Sequence, residues 1–136
     1  LASPAVVVEG WKHAPFSATR PDPAQQASDN DQNSWQWVQP GWLQPSSPVD
    51  GYVLYRTRFT PHVAVQQHGG RLRVGRLTGP AEVWLDGVKI AQTLAGDKTL
   101  DLLLPAKMQA RDLAVLLTVP AGEEFGFRDV VTVSVE

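Results

Sequence analysis

The segment from Tyr52 to Gln92 constrains the fold more than any other part of the chain. It holds three short runs rich in β-branched, aromatic and leucine side chains: Tyr52–Thr60, Arg71–Leu77 and Ala81–Gln92. In the first, Val53, Tyr55, Thr57 and Phe59 alternate with Tyr52, Leu54, Arg56 and Arg58. A period of two is that of a strand with distinct faces. In the second, Leu72 and Val74 alternate with Arg71, Arg73 and Gly75. The third places Asp86-Gly87 between Val83-Trp84-Leu85 and Val88-Lys89-Ile90. That dipeptide suits a two-residue hairpin turn, because both central positions take positive φ. The middle of the chain is therefore predicted to be antiparallel sheet. Its inner residues are committed to a core, and its outer ones are mostly Arg, Thr and Lys.

Further strands are predicted on both sides. Ala5–Glu9 is ended by Gly10, Thr99–Leu104 is closed by Pro105, and Asp112–Val119 alternates Leu113, Val115 and Leu117 before Pro120. Val130–Val135 alternates cleanly to the end, while Ala106–Ala110 is long enough for one helical turn only. About eight strands in two sheets follow, which makes the fold class all-β, an antiparallel β-sandwich. Eleven Pro and eleven Gly supply the turns such a fold requires. Residues 1–136 read as one domain, large enough to bury roughly two-thirds of the surface its unfolded chain exposes.

Charge and composition narrow the partners. A net charge of −2 gives no electrostatic reason to bind nucleic acid or an anionic membrane. The absence of Cys excludes disulfides, thiolate metal sites and a cysteine nucleophile. No apolar run approaches the ~18 residues that span a bilayer as a helix. The N-terminus, Leu1-Ala-Ser-Pro-Ala-Val-Val-Val, lacks both an initiator Met and the basic start of a secretion signal. It is expected to be an excised domain or a processed product. The compartment is left open, with a periplasmic or secreted setting favoured over a cytoplasmic one.

From Pro15 to Asp50 neither strand nor helix period persists, and Pro21, Pro23, Pro40, Pro45 and Pro48 interrupt the span. Proline removes backbone donors and fixes φ, so residues 15–50 are predicted to form a long irregular loop. Loops of that length in compact domains are often functional. This one contains Asp29-Asn-Asp-Gln-Asn-Ser-Trp-Gln-Trp37 and then Trp42. Sugars stack their C–H faces on aromatic rings and hydrogen-bond through their hydroxyls. Trp35, Trp37 and Trp42 beside Asp29, Asn30, Asp31 and Asn33 offer both kinds of group, and Phe125, Phe127 and Arg128 of the Ala121–Asp129 loop are candidates to face them. The structural alternative is that these tryptophans cap the core or pack against another domain or a partner chain. Trp84 is assigned to core or to an inter-domain contact.

Catalytic groups are harder to find. Glu82 and Asp86 share a strand face about 13 Å apart at ~3.3 Å per residue, whereas glycosidic carboxylates need roughly 5 to 10 Å across a cleft. Glu123-Glu124 reads as a solvated pair, and His13, His62 and His68 lack ligand spacing. The chain alone is predicted to be non-catalytic and without a cofactor. The Asp29-Asn-Asp-Gln-Asn run does present oxygens at alternate positions that Ca²⁺ accepts, but without the glycine turn and bidentate Glu of an EF-hand loop.

The run Tyr55-Arg-Thr-Arg-Phe-Thr-Pro61, the Gly69-Gly70 turn, Leu72-Arg-Val74 and Ala81-Glu-Val-Trp-Leu-Asp-Gly-Val-Lys-Ile90 together resemble the sugar-binding-type β-sandwich of family-2 glycoside hydrolases. These are the β-galactosidases, β-mannosidases and β-glucuronidases. The likeness covers Tyr52 to Thr118, about half the chain, and is strongest over Ala81–Lys89. A looser likeness, the loop ending in Asn33-Ser-Trp35 ahead of Tyr52-Val-Leu-Tyr-Arg56, is to modules of family-2 β-galactosidases. The resemblance implies a galactose-binding-like jelly roll and an accessory role in carbohydrate metabolism within a β-galactosidase. Its catalytic glutamates would come from a separate (β/α)8 barrel, which nothing in this chain matches. The implied partners are that barrel and neighbouring domains of the same polypeptide, with a β-galactoside oligosaccharide as ligand. Structural calcium near the N-terminal loop, common in galactose-binding-like sandwiches, is a lesser implication. A genuine carbohydrate-binding module and a protein-interaction sandwich are the alternatives.

Overall fold

The computed structural model describes residues 5–23 and 35–135. Its core is built by two facing antiparallel sheets. One contains β1 (Val6–Val7), β6 (Gly70–Val74), β9 (Leu100–Leu104) and β12 (Val131–Val135), in the order β1-β12-β6-β9. The other contains β2 (Lys12–His13), β3 (Gln36–Trp37), β5 (Gly51–Phe59), β7 (Ala81–Leu85), β8 (Val88–Thr93) and β10 (Arg111–Val119), in the order β3-β2-β5-β10-β7-β8. A short ribbon pairs β4 (Leu43–Gln44) with β11 (Phe125–Gly126). The fold is thus the predicted all-β antiparallel sandwich, with the longer strands close to their expected places; β6 stops at Val74 instead of Leu77, and the two-residue strands β2, β3, β4 and β11 were not expected.

The alternation read from the sequence decides which side chains are inside. Tyr55, Val115 and Val83 lie side by side across three strands, all fully buried. Leu72, Val74, Leu104 and Val131 meet them from the opposite sheet. An aromatic cluster fills one end of the core. The Phe127 ring stands 5.0 Å from Trp11 and 4.8 Å from Tyr55. Trp11 stays satisfied while buried, because its Nε1 donates to the Val8 carbonyl at 3.1 Å.

The Asp86-Gly87 turn forms as predicted, with φ of 50° and 83°. Its aspartate also does something the turn does not require. The carboxylate accepts from Arg111 Nε at 2.7 Å, Lys107 Nζ at 3.2 Å and the Asp112 amide at 2.9 Å. The Arg111 side chain is almost fully buried, so the turn supplies the counter-charge for an interior guanidinium.

Three expectations change. Ala106–Ala110 takes no helical turn, whereas a helix that was not expected, α1 (Val63–His68), forms just before the Gly69-Gly70 turn. His62 caps it, its Nδ1 accepting from the Ala64 amide at 3.1 Å, and Gly69 ends it at φ 80°. Burial of Val65 anchors a segment too short to be helical alone. The 15–50 region is not wholly irregular, since Ser17 bridges to Tyr52 and β3 and β4 both form within it. Finally, the outer face of the larger sheet is not all polar. Leu54, Ala114 and Leu116 point outward yet are buried beneath Ala14, Trp35, Tyr52 and Trp84. Ala14 and Trp35 of the incoming segment supply part of that cover, and Tyr52 and Trp84 of the sheet the rest; the segment is held by Arg20 on Glu82 and by Arg56 Nη2 donating to the Pro23 carbonyl at 2.8 Å.

Candidate functional site

The structure separates the candidate residues. Asp29, Asn30, Asp31 and Asn33 lie outside the described residues, so the calcium and sugar roles expected of them gain no geometry. Trp35 packs half-buried on the outer cluster of the larger sheet. Trp37, at that sheet's edge, is 71% exposed, with Lys12 Nζ 4.5 Å from its ring centroid, within cation–π range. Trp42 is 66% exposed at the other loop cluster, next to the β4–β11 ribbon. Phe125 is a correction: it is buried, with its ring 6.5 Å from Phe16, and its face is unavailable to a ligand. Its place in the ribbon, opposite Gln44, turns the ring into the sandwich.

Arg128 does sit in a depression, an open polar cleft of about 430 Å³ lined by Gly41, Leu43, Arg76, Asp97 and Arg128. Trp42 lies between two of these lining residues in sequence, so the structure brings Trp42 and Arg128 to one end of the molecule. Arg128 Nε contacts Asp97 Oδ1 at 2.8 Å. Arg76 grips Asp129 with Nε at 2.9 Å, Nη2 at 3.2 Å and its own amide at 3.0 Å. Those hydrogen bonds, side chain first, pull the Asp129 carboxyl down to about 2. The cleft offers guanidinium donors and carboxylate acceptors, a set that can hold hydroxyls but contains no nucleophile with a base. Arg76 and Asp97 were not read from the sequence; they reach the cleft only through long-range pairing of turns.

Of the carboxylates weighed for catalysis, Glu82 and Asp86 are engaged in ion pairs. Glu82 accepts from Arg20 Nη2 at 2.8 and 3.0 Å and from Trp84 Nε1 at 3.0 Å. Burial pushes its carboxyl up, but these hydrogen bonds outweigh it and hold it below the usual range. Trp84 is accordingly a half-buried outer residue tied to Glu82. Glu123 and Glu124 are both exposed, His13 stands 5.9 Å from Tyr55 ring to ring, and His62 is the helix cap. Among the described residues no three His, Asp or Glu side chains are grouped to hold a metal, and no helix is long and apolar enough to cross a membrane.

A second depression is apolar. About 490 Å³ in volume, it opens between the first and last strands and the helix, walled by Val6, Val7, Val8, Phe59, Val65, Val133 and Val135, with Glu9, Thr60, Pro61 and His62 completing the lining.

No family model matches the chain, and no curated protein matches it in sequence. Its structure, however, is similar to parts of several solved glycoside hydrolases. Over 96% of its length it superposes on 18% of a β-glucuronidase from Bacteroides uniformis, with a TM-score of 0.73 and 14% identity. A family-2 glycosyl hydrolase from Bacteroides cellulosilyticus gives a TM-score of 0.72 at 14% identity, over 96% of this chain and 20% of that one. For a β-glucuronidase from Faecalibacterium prausnitzii the values are 0.63 and 22%, over 83% and 20% of the two chains. At these identities the likeness is one of fold. The chain spans about a fifth of the length of each of these proteins.

Proposed function

We propose that this chain is a non-catalytic β-sandwich module of a family-2-type glycoside hydrolase, and that it supports or shapes the approach to a catalytic (β/α)8 barrel on the same polypeptide. The observation that best supports this is the superposition of nearly the whole chain on about a fifth of several such hydrolases. The engagement of Glu82 and Asp86 in ion pairs agrees with it. For the parent, the looser likeness of the loop ending in Asn33-Ser-Trp35 ahead of Tyr52-Val-Leu-Tyr-Arg56 favours a β-galactosidase, while two of the similar structures are named β-glucuronidases. The discriminating assay compares nitrophenyl β-galactoside and β-glucuronide, offered to the isolated chain and to the full reading frame that contains it. The isolated chain should turn over neither, and the full frame at least one. Turnover by the isolated chain that vanishes in Glu82→Gln would sink the non-catalytic reading. Activity of the full frame on glucuronide alone would sink the galactosidase assignment.

A second reading, direct carbohydrate binding, is favoured by the exposure of Trp37 and Trp42 and by the polar cleft beside Trp42. Sugar hydroxyls exchange water hydrogen bonds for protein ones at small net gain, so affinity should be at best in the millimolar range, roughly −4 kcal/mol. Titrating galacto-oligosaccharides while following tryptophan fluorescence tests it. Trp42→Ala should remove any response, and a response that survives both Trp37→Ala and Trp42→Ala rules out these platforms.

A further inference from the structure

We infer that the polar cleft beside Trp42 binds the vicinal diol of an uncharged pyranose and disfavours a sugar that carries a carboxylate. This rests on the second reading above, direct carbohydrate binding. Two guanidiniums, Arg76 and Arg128, and one carboxylate, Asp97, line the cleft. Each guanidinium already has its counter-charge. Arg128 Nε meets Asp97 Oδ1 at 2.8 Å, and Asp129 holds Arg76 through Nε, Nη2 and the backbone amide. Arg73 also acts on Asp129 through its charge but does not line the cleft. Two cations matched by two carboxylates leave little field to attract an anion. An incoming carboxylate would have to break one of these pairs or lie against Asp97, whose side chain is 63% exposed.

A diol meets no such conflict, because each hydroxyl both donates and accepts. Adjacent hydroxyls can donate to the second oxygen of Asp97 and accept from the outer edge of Arg128 or Arg76. Those donors remain available. A guanidinium carries five N–H groups, and among the described residues the ion pairs engage Nε of Arg128 and Nε and Nη2 of Arg76. The groups are also fixed in advance. The Arg128 amide donates to the Arg76 carbonyl at 2.8 Å, which ties the two guanidinium-bearing turns together. The Gly41 amide donates to the Phe127 carbonyl at 3.0 Å and brings the Trp42 loop to the same end. Asp97 is held by its own amide on the Leu77 carbonyl at 2.8 Å, at a φ of 60°. Fixing such groups before binding lowers the ordering cost that a weak sugar contact must overcome.

The test titrates this chain and its Asp97→Asn variant with methyl β-galactoside and with methyl β-glucuronide at neutral pH, following backbone amide resonances by NMR. Sugar at up to about 50 mM exceeds the millimolar Kd expected of one small site. The galactoside should shift the amides of Gly41, Asp97 and Arg128, and the glucuronide should bind about tenfold more weakly. Asp97→Asn should keep the fold, since Asn tolerates the same left-handed φ. It should weaken the galactoside about tenfold, the effect of one charge-assisted hydrogen bond, and strengthen the glucuronide by releasing Arg128. Equal affinity for the two glycosides, or a preference that survives Asp97→Asn, overturns the uncharged-diol assignment. Shifts confined to Trp37 and its neighbours on β3 overturn the cleft while carbohydrate binding stands. If neither glycoside shifts any resonance, the reading of direct binding fails and the diol site with it.

Discussion

Asp86 shows how much one side chain can carry beyond its local role. Burial pushes its carboxyl up, yet the hydrogen bonds from the Asp112 amide, Arg111 and Lys107 outweigh this and hold it below the usual aspartate range. A carboxyl with a depressed folded-state pKa adds stability that is fully present above its unfolded value near 4 and is lost as pH falls through the folded one. Acid melting should therefore show a loss beginning below about pH 4 that is smaller in Asp86→Asn. Asp86→Ala should cost about 2 kcal/mol at neutral pH, because Arg111 is left buried without its partner. A cost below about 0.5 kcal/mol in chemical denaturation would mean that the buried guanidinium finds another acceptor. Tyr55 presents the opposite case. Its hydroxyl is buried with no hydrogen-bond partner among the described residues, and burial pushes its ionisation far up. Tyr55→Phe removes a desolvated polar group while keeping the ring between Phe127 and His13. It should be neutral or stabilising by up to about 1 kcal/mol, and a clear drop in melting temperature would reveal an acceptor.

Among the elements, the β7–β8 hairpin was legible and the cover of the outer sheet was not. Asp86-Gly87 announces its turn chemically, since glycine at φ 83° is unstrained where a branched residue is not. Gly87→Val should destabilise the chain by about 1–3 kcal/mol, and an unchanged denaturation midpoint would refute the hairpin's importance. The outer cluster of Leu54, Ala114 and Leu116 carries no such announcement. Apolar residues at both alternating positions of β5 and β10 say only that both faces are apolar, not which segment lies over the second. The structure divides the tryptophans accordingly. Trp35→Ala should lower stability by about 1–2 kcal/mol through lost packing, while Trp37→Ala should change it by no more than about 0.5 kcal/mol. Equal effects from the two would remove the distinction between packed and exposed rings.

Over the whole molecule, stability should be graded from the middle outward. β5 and β10 are the longest strands and pair with each other over nine positions, each having a further strand at its other edge. Their amides should exchange only by global unfolding, whereas those of β3 and β4, two residues long, should exchange through local opening. Native-state exchange in low denaturant separates the two, and protection in β3 equal to that in β10 would contradict the gradation. The same gradation leaves Trp37, Trp42 and the polar cleft on the weakly held margins, where contact with a ligand or a neighbouring module costs little core structure.

What the sequence determined by itself was local and periodic. The alternation in Tyr52–Thr60, Arg71–Leu77 and Asp112–Val119 assigned the strands and inner faces, because a side-chain period of two follows from the pleat itself. Asp86-Gly87 determined its turn, because only residues tolerant of positive φ serve there. Tertiary structure decided the rest. Whether Phe125 faces a ligand or the core depends on which strand β11 pairs with. Whether Val63–His68 coils depends on a place to bury Val65. Arg76, Asp97 and Arg128 share a cleft only because turns distant in sequence meet at one end of the sandwich. These outcomes turn on contacts between residues tens of positions apart, and no local pattern of side chains encodes such distances.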